Sequence, residues 1–296
     1  MTGAMTGPNR TFLFTPGNHP RRVEKVFTVG ADAAILDLED AVAIPEKEAT
    51  RAAIVEALTR PRACRAYVRV NALDTPFAFG DIEAVVVAGL DGIVLPKVES
   101  AGDIRAADWM LTALERRRGL PEGAVDLMPI IETARGHAAA RAICACGGRV
   151  ARVSFGAGDY TTDLGMEWTA IEHELDAVRA EIVLASRLGG LEPPIDTVFA
   201  RLDRPDAFRA SCLRVREWGF QGKLVIHPDQ VAPANAVFSP SPEELARARE
   251  IVAAFRKAEA AGAASIRVGG QFVDYPIVAR AERIVALAEA IEGAKP

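Results

Sequence analysis

The chain has 296 residues, half of them hydrophobic, and a formal net charge of −5. That length allows one large domain or two ordinary ones around a sizeable core. No dense run of Lys or Arg points to a nucleic-acid or membrane-surface partner, and no apolar run approaches the roughly 18 residues a membrane-spanning helix needs.

Taken in chain order, the first nine residues of "MTGAMTGPNR" lack a charged stretch followed by an apolar one. They predict a short disordered lead-in rather than an export signal. From residue 10 onward, short runs rich in Val, Ile and Leu alternate with amphipathic stretches, the pattern of a parallel sheet with crossover helices. The first strand is "TFLFTPG", and its loop "TPGNHPRR" leads into a helix. "AAILDLED" is the second strand, followed by the helix "PEKEATRAAIVEAL" with Pro45 in its first turn. "AYVRVN" and "GIVLPKV" are the third and fourth, before "SAGDIRAADWMLTALERRRG", where Ser100 suits an N-cap. "DLMPIIE", "ARVSFGAGD" and "PIDTVFA" are the fifth to seventh, and the helix "DAFRASCLRVREWG" precedes the eighth, "KLVIHP". "SPEELARAREIVAAFRKAEAAG" then carries a capping box at Ser241 and Glu244. A turn at Gly269 and Gly270, a short strand-like run and a final helix from about Ile277 close the chain.

Eight strand–helix units in one chain predict an α/β fold of the (β/α)8 TIM-barrel type over residues 10–262. Asp37, Arg69, Lys97, Glu132, Asp159 and His227 each end a strand-like run, at gaps of 32, 28, 35, 27 and 68 residues, the last fitting two units. An open doubly wound sheet has similar local patterns. Neither a G-x-G-x-x-G after the first strand nor a G-x-x-x-x-G-K-[ST] is present, so the barrel is the better reading.

A barrel brings the C-terminal ends of its strands to one face, where active sites lie. Glu132 and Asp159 then end neighbouring strands, about 4.8 Å apart. Two carboxylates, completed by water and substrate oxygens, suit Mg²⁺, or Mn²⁺ in its place. Gly156 and Gly158 allow close approach. The alternative is that the two acids cap helices or pair with Arg135. Arg69 is placed to grip a carboxylate or a developing oxyanion, or else to pair with Asp37 or Glu39. Lys97 reads as an ion-paired lysine rather than a Schiff-base nucleophile. The acids of "DLED", Asp37, Glu39 and Asp40, orient Arg69, Lys97 or metal-bound water. His227 reads as a hydrogen-bonded rim residue or an acid–base group. Cys64, Cys144, Cys146 and Cys212 form no C-x-x-C, so reduced thiols in a cytoplasmic protein are expected, without zinc.

These segments together resemble the citrate lyase beta subunit-like family of acyl-CoA lyases, within the HpcH/HpaI aldolase/citrate lyase superfamily and related to malyl-CoA and citramalyl-CoA lyases. The resemblance covers about residues 10–290. It rests on "LFTPGN", "DLEDAV", "VRVN", "LPKVES", "IIETARG", "SFGAGDYTTDLG", "IHPDQVAPANAVFSPSPEE" and "GQFVDYP", all in order.

The resemblance implies a Mg²⁺-dependent carbon–carbon lyase that converts a 3-hydroxy-3-carboxylic acyl-CoA into an acyl-CoA and a 2-keto acid. It assigns the metal to Glu132 and Asp159, enolate stabilisation to Arg69, and proton exchange to Asp274 of "GQFVDYP". Asp274 can alternatively serve only to cap the last helix. Residues 263–296 are implied to form a lid over a neighbouring subunit's site, in a homo-oligomer with a trimer favoured. Coenzyme A is implied near Asn18, Arg21 and Arg22, with Lys97, Asp37 and Glu39 on the substrate side. The other readings are an acyl-CoA thioesterase, an aldolase on free keto acids, and a citrate lyase subunit needing partner subunits.

Overall fold

Alternation with period two is the local cause of the sheet. In a strand, residues i, i+2 and i+4 face one side. Phe12 and Phe14, Ala33 and Ile35, Met128 and Ile130 repeat at that spacing and meet in one apolar cluster with Tyr67, Val94, Ile195 and Leu224. Each fully buried side chain of this kind contributes about 1.5–3 kcal/mol.

The computed structural model describes residues 7–294, so residues 1–6 of the expected lead-in lie outside the described residues. In chain order the elements are β1 (Thr11–Pro16), α1 (Pro20–Val26), β2 (Ala33–Asp37), α2 (Lys47–Leu58), β3 (Arg65–Arg69), α3 (Ala78–Val85), β4 (Gly92–Leu95) and α4 (Ala101–Arg118). They continue with β5 (Asp126–Ile131), α5 (Ala134–Ala138), α6 (Ala140–Cys144), β6 (Ser154–Phe155), α7 (Ala157–Asp163), α8 (Asp176–Leu188), β7 (Ile195–Asp196), α9 (Pro205–Trp218) and β8 (Gly222–Val225). Last come α10 (Val231–Phe238), α11 (Pro242–Ala260), β9 (Ile266–Val268), β10 (Gln271–Val273) and α12 (Tyr275–Gly293).

Strands β1 to β8 pair in sequence and β8 pairs back with β1, closing a parallel barrel. The doubly wound alternative is thereby excluded. Capping follows the sequence. Ser100 and Asp103 form a capping box on α4, and Ser241 and Glu244 form one on α11. Strands β6 and β7 are two residues each, shorter than their apolar runs.

Polar networks close the barrel elsewhere. Arg152, buried, holds Asp126 and Glu192, and the Tyr67 hydroxyl donates to Asp126. Between β7, β8 and α8, Asp196 accepts from Arg179 and Lys223. Buried charges of this kind persist only when paired.

The chain divides into two compact units, one over Asn9–Asn235 and one over residues 236–294 with residues 7–8. In the second, β9 and β10 form an antiparallel hairpin. Gly269 and Gly270, at φ +53° and +83°, supply its left-handed turn. α11 and α12 bury Ile251, Phe255, Val273 and Val278 together. Among the described residues, no helix is long and apolar enough to cross a membrane. The four cysteines are free thiols.

Candidate active site

The same alternation that builds the barrel interior aims the site residues. Asp37 follows Ile35, Arg69 follows Tyr67 and Glu132 follows Ile130, each two positions on from an inward side chain. All three therefore stand at the C-terminal mouth. A cavity of about 360 Å³ opens there, lined by Asp37, Asp40, Arg69, Glu132 and Asp159 among others.

Asp37 and Arg69 are register partners on β2 and β3. Arg69 donates to both Asp37 oxygens, at 2.8 and 2.6 Å, a bidentate pair. Its remaining nitrogen meets Glu39 at 2.9 Å and Asp40 at 3.6 Å. Burial works against its charge, but Asp37, then Glu39 and Glu132, outweigh it and hold the guanidinium above its ordinary pKa. The ring of Phe14 lies 4.7 Å from the guanidinium carbon, so the group also stacks on an aromatic face.

Lys97 is held at both ends. Its backbone, at φ +50°, is left-handed, an uncommon state for a side-chain-bearing residue. That turn directs its N–H onto Glu132 Oε1 at 2.8 Å. Its ammonium pairs with Glu39 and lies 3.7 Å from Asp159. Burial lowers its proton affinity, yet the hydrogen bond and charge of Glu39 prevail, so Lys97 stays protonated. A Schiff-base nucleophile needs the reverse shift, and the ion-paired reading is the correct one.

Glu132 is buried, and burial, with the charges of Glu39 and Asp159, pushes its carboxyl up to about 8. Gly156 leaves room for it: a Cβ there would lie 2.3 Å from Glu132 Oε2. Asp159, half-buried, stands in the first turn of α7, where a helix favours negative charge. Arg135 pairs instead with Glu99, at 3.6 Å, away from both acids. Five carboxylates thus face two cations. Among the described residues, no group of three or more His, Cys, Asp or Glu could hold a metal ion. Glu132 and Asp159 both line the cavity, and a carboxylate pair of this kind fits Mg²⁺, which takes one or two carboxylates and leaves its other positions to water and substrate.

A layer beneath these groups was not legible in the sequence. Lys47, buried, donates to the carbonyls of Leu38 and Glu39 and to Asn71. Asn71, the last residue of "VRVN", donates to Leu38 and to Asp81, which Arg51 holds in turn. This network fixes the loop that presents Glu39 and Asp40.

A second cavity, of about 440 Å³, is lined by Phe14, Arg22, Lys25, Val26, Ile226 and His227 among others. It shares Phe14 and Ile226 with the first. Lys25 escaped the sequence reading, although its position three residues after Arg22 on α1 was the signal. Arg21 is exposed and is not among the described residues lining it. Asn18 donates its amide to Glu46 at 2.6 Å. His227 caps a short turn, accepting from the Asp229 N–H at 3.2 Å. Asp274, in the second unit, is the N-cap of α12 and accepts from Ile277 at 3.4 Å.

Residues 10–228 match the HpcH/HpaI aldolase/citrate lyase family. A citrate lyase subunit beta from Leuconostoc mesenteroides subsp. cremoris is 38% identical over 95% of this chain and 93% of its own length. An L-malyl-CoA/beta-methylmalyl-CoA lyase from Cereibacter sphaeroides is 39% identical over 96% of both chains. Among solved structures, CitE from Mycobacterium tuberculosis in complex with magnesium, acetoacetate and coenzyme A superposes with a TM-score of 0.76, at 29% identity over 96% of this chain and 99% of that one.

Proposed function

The chain belongs to the HpcH/HpaI aldolase/citrate lyase family, and from that premise we propose that it is a Mg²⁺-dependent carbon–carbon lyase. Its substrate is a 3-hydroxy-3-carboxylic acyl-CoA such as malyl-CoA or citramalyl-CoA, cleaved to, or formed from, an acyl-CoA and a 2-keto acid. The observation that carries this reading is the meeting of Glu132, Asp159 and Arg69 on one cavity at the barrel mouth.

Glu132 and Asp159 would hold the cation, which when bound supplies Lewis-acid polarisation of the substrate's hydroxyl and carboxylate oxygens. As the carbon–carbon bond breaks, the hydroxyl proton leaves to solvent and the bonding pair moves onto the thioester as an enolate. Arg69, already rigidly held by Asp37 and Glu39, faces that developing charge without reorganising. Asp274 of a neighbouring subunit returns a proton to the α-carbon, and takes it away in condensation. Its support is the "GQFVDYP" motif together with the exposed Phe272 and Tyr275 beside it, apolar surface suited to burial against another copy. On this reading residues 263–296 act as a lid, following a barrel domain over 10–262, and the protein is a cytoplasmic homo-oligomer, a trimer being favoured.

Coenzyme A takes the second cavity. Arg22 and Lys25 line one part of it, and the shared Phe14 and Ile226 lead to the first cavity. The basic groups suit its phosphates, with Asn18 and Arg21 on the adjoining loop and helix. The 38% identity to a citrate lyase subunit beta supports a second reading, a lyase subunit that requires partner subunits.

The test is a paired assay of coenzyme A release and keto-acid formation on malyl-CoA, citramalyl-CoA and methylmalyl-CoA, with Mg²⁺ and then with EDTA. Metal-dependent keto acid with an acyl-CoA product is expected. Free coenzyme A without keto acid would make the protein a thioesterase. Inactivity despite Mg²⁺ binding would favour the partner-dependent subunit.

A further inference from the structure

The carboxylates of Glu132 and Asp159 stand on a sparsely paired part of the barrel. Strand β6 has two residues; Ser154 and Phe155 both pair with β5, but only Ser154 pairs with β7. The chain then turns at once into α7, seven residues long, with Asp159 in its first turn. Glu132 lies two residues before α5, a helix of five. Helices this short are marginal on their own. So short a ladder leaves the spacing of Glu132 and Asp159 to be completed by contacts between α5 and α7.

Those contacts form a brace. Asp163, the last residue of α7, accepts the N–H of Ala134, the first residue of α5, at 2.7 Å. The buried Tyr160 meets His137: its hydroxyl lies 2.9 Å from Nδ1 and donates to it in the tautomer protonated at Nε2. The Tyr160 ring makes edge contacts with both His137 and Phe155, at centroid distances of 5.6 and 5.5 Å. Thr133 caps α5, accepting from the Gly136 N–H at 3.0 Å. Glu132 is thus followed by a helix tied to α7 near both of its ends, while Asp159 adjoins Tyr160 in sequence and lies one turn from Asp163. Tyr160, Asp163 and His137 do not line the cavity themselves.

We propose that Tyr160 and Asp163 are positioning residues: by tying α7 to α5 they fix the spacing of Glu132 and Asp159, and with it the preference of that pair for Mg²⁺ over the larger Ca²⁺. The inference rests on the proposed assignment of the metal to Glu132 and Asp159. Mg²⁺ demands near-ideal octahedral geometry at about 2.0–2.1 Å, whereas Ca²⁺ accepts ligands at about 2.3–2.6 Å in flexible arrangements. A carboxylate pair held at one spacing can favour the small ion. A loosened pair loses affinity for Mg²⁺ and keeps it for Ca²⁺.

The experiment loads the full chain with Mn²⁺, displaces it with Mg²⁺ or Ca²⁺, and follows free Mn²⁺ by its paramagnetic resonance signal. The ratio of the two displacing concentrations reports Mg²⁺ against Ca²⁺ without depending on the affinity for Mn²⁺. Wild type should prefer Mg²⁺. In the double variant Tyr160→Phe with Asp163→Ala, Mg²⁺ should weaken by about tenfold while Ca²⁺ stays within about twofold. Tyr160→Phe alone removes one oxygen atom, keeps the rings in contact, and should narrow the ratio by about threefold. Asp163→Asn loses the charge but keeps an oxygen for the Ala134 N–H, so it should leave the ratio unchanged. Ile143→Val, a buried change in α6, should lower the melting temperature without moving the ratio. A wild type that does not distinguish the two ions, or a wild-type ratio in both Tyr160→Phe and Asp163→Ala, overturns the brace and leaves the metal pair standing. Asp163→Asn behaving as Asp163→Ala also overturns it, because charge alone would then be the cause. Mn²⁺ bound as tightly by Glu132→Gln as by wild type would instead sink the metal assignment, and the brace with it.

Discussion

Adding one methyl group at Gly156 tests how the site is packed. Built on the present backbone, the Cβ of Gly156→Ala would lie 2.3 Å from Glu132 Oε2, 2.8 Å from Glu132 Cβ and 3.0 Å from Ile130 Cγ2. Ordinary contacts begin near 3.4 Å, so the carboxylate must withdraw by about 1 Å. Ile130 is buried in the barrel interior and has nowhere to go. Glu132 must therefore leave the Lys97 N–H that now holds it at 2.8 Å. Overpacking of this kind costs about 1–3 kcal/mol, which lowers the melting temperature by roughly 2–10 °C in a chain of this size. If Glu132 holds the metal as proposed, displacing it from its orienting partner should weaken Mg²⁺ by about 10–100-fold. Titration calorimetry with Mg²⁺ and a thermal melt read both effects. Gly158→Ala is the stability control, because its Cβ would make only an ordinary 3.8 Å contact with Trp168. A folded Gly156→Ala protein with unchanged Mg²⁺ affinity would refute the claim that this glycine exists to admit Glu132.

The remaining predictions probe the other groups. Arg69→Lys keeps the charge but loses the two-oxygen grip on Asp37; turnover should fall by about a hundred- to a thousandfold. Mg²⁺ affinity should stay within about threefold, and equal losses in kinetics and calorimetry would reassign Arg69 to metal positioning. If Asp274 works in a neighbouring subunit's site, Asp274→Ala and Arg69→Lys proteins, each nearly inactive, should regain activity when unfolded together and reassembled. About a quarter of the sites would then be intact, and no recovery would place Asp274 in its own chain's site or outside the chemistry. Burial pushes the thiols of Cys144 and Cys212 up to about 12 and that of Cys64 up to about 11. Since the thiolate is the reactive form, alkylation of native protein at pH 8 should mark Cys146 first and spare Cys144 and Cys212 until denaturation. Peptide mapping that finds Cys212 modified in the native state would contradict its burial.

How much of this was legible beforehand depends on the range of the interaction. Alternation is a property of adjacent residues, so Ile35 and Asp37, Tyr67 and Arg69, Ile130 and Glu132 could be placed on one face from the sequence alone. Caps are equally local, and Ser100 and Ser241 stand where their neighbours predicted. Eight strand–helix units in order pointed to a barrel, and closure through β1 and β8 completes it. The extents of β6 and β7 were not legible. Pairing needs a neighbour on each side, and a single register pair, Ser154 with Ile195, joins them.

By itself, then, the sequence determined the eightfold strand–helix order, the inward direction of the strand-end acids, and the family motifs that carry them. Tertiary structure alone decided which partners those acids took: Arg69 on Asp37 and Glu39 together, Lys97 shared between Glu39 and Asp159, Lys47 bound beneath the loop. It alone also brought Val198, Leu224, Ile226 and Phe14, from in or just after the neighbouring strands β7, β8 and β1, onto the cavity that holds these charges. The reason is physical. Periodicity and capping act over a few residues, whereas ion pairing is settled by distance in space between segments 30 to 60 positions apart in the chain, and burial then sets how strongly each charge is felt.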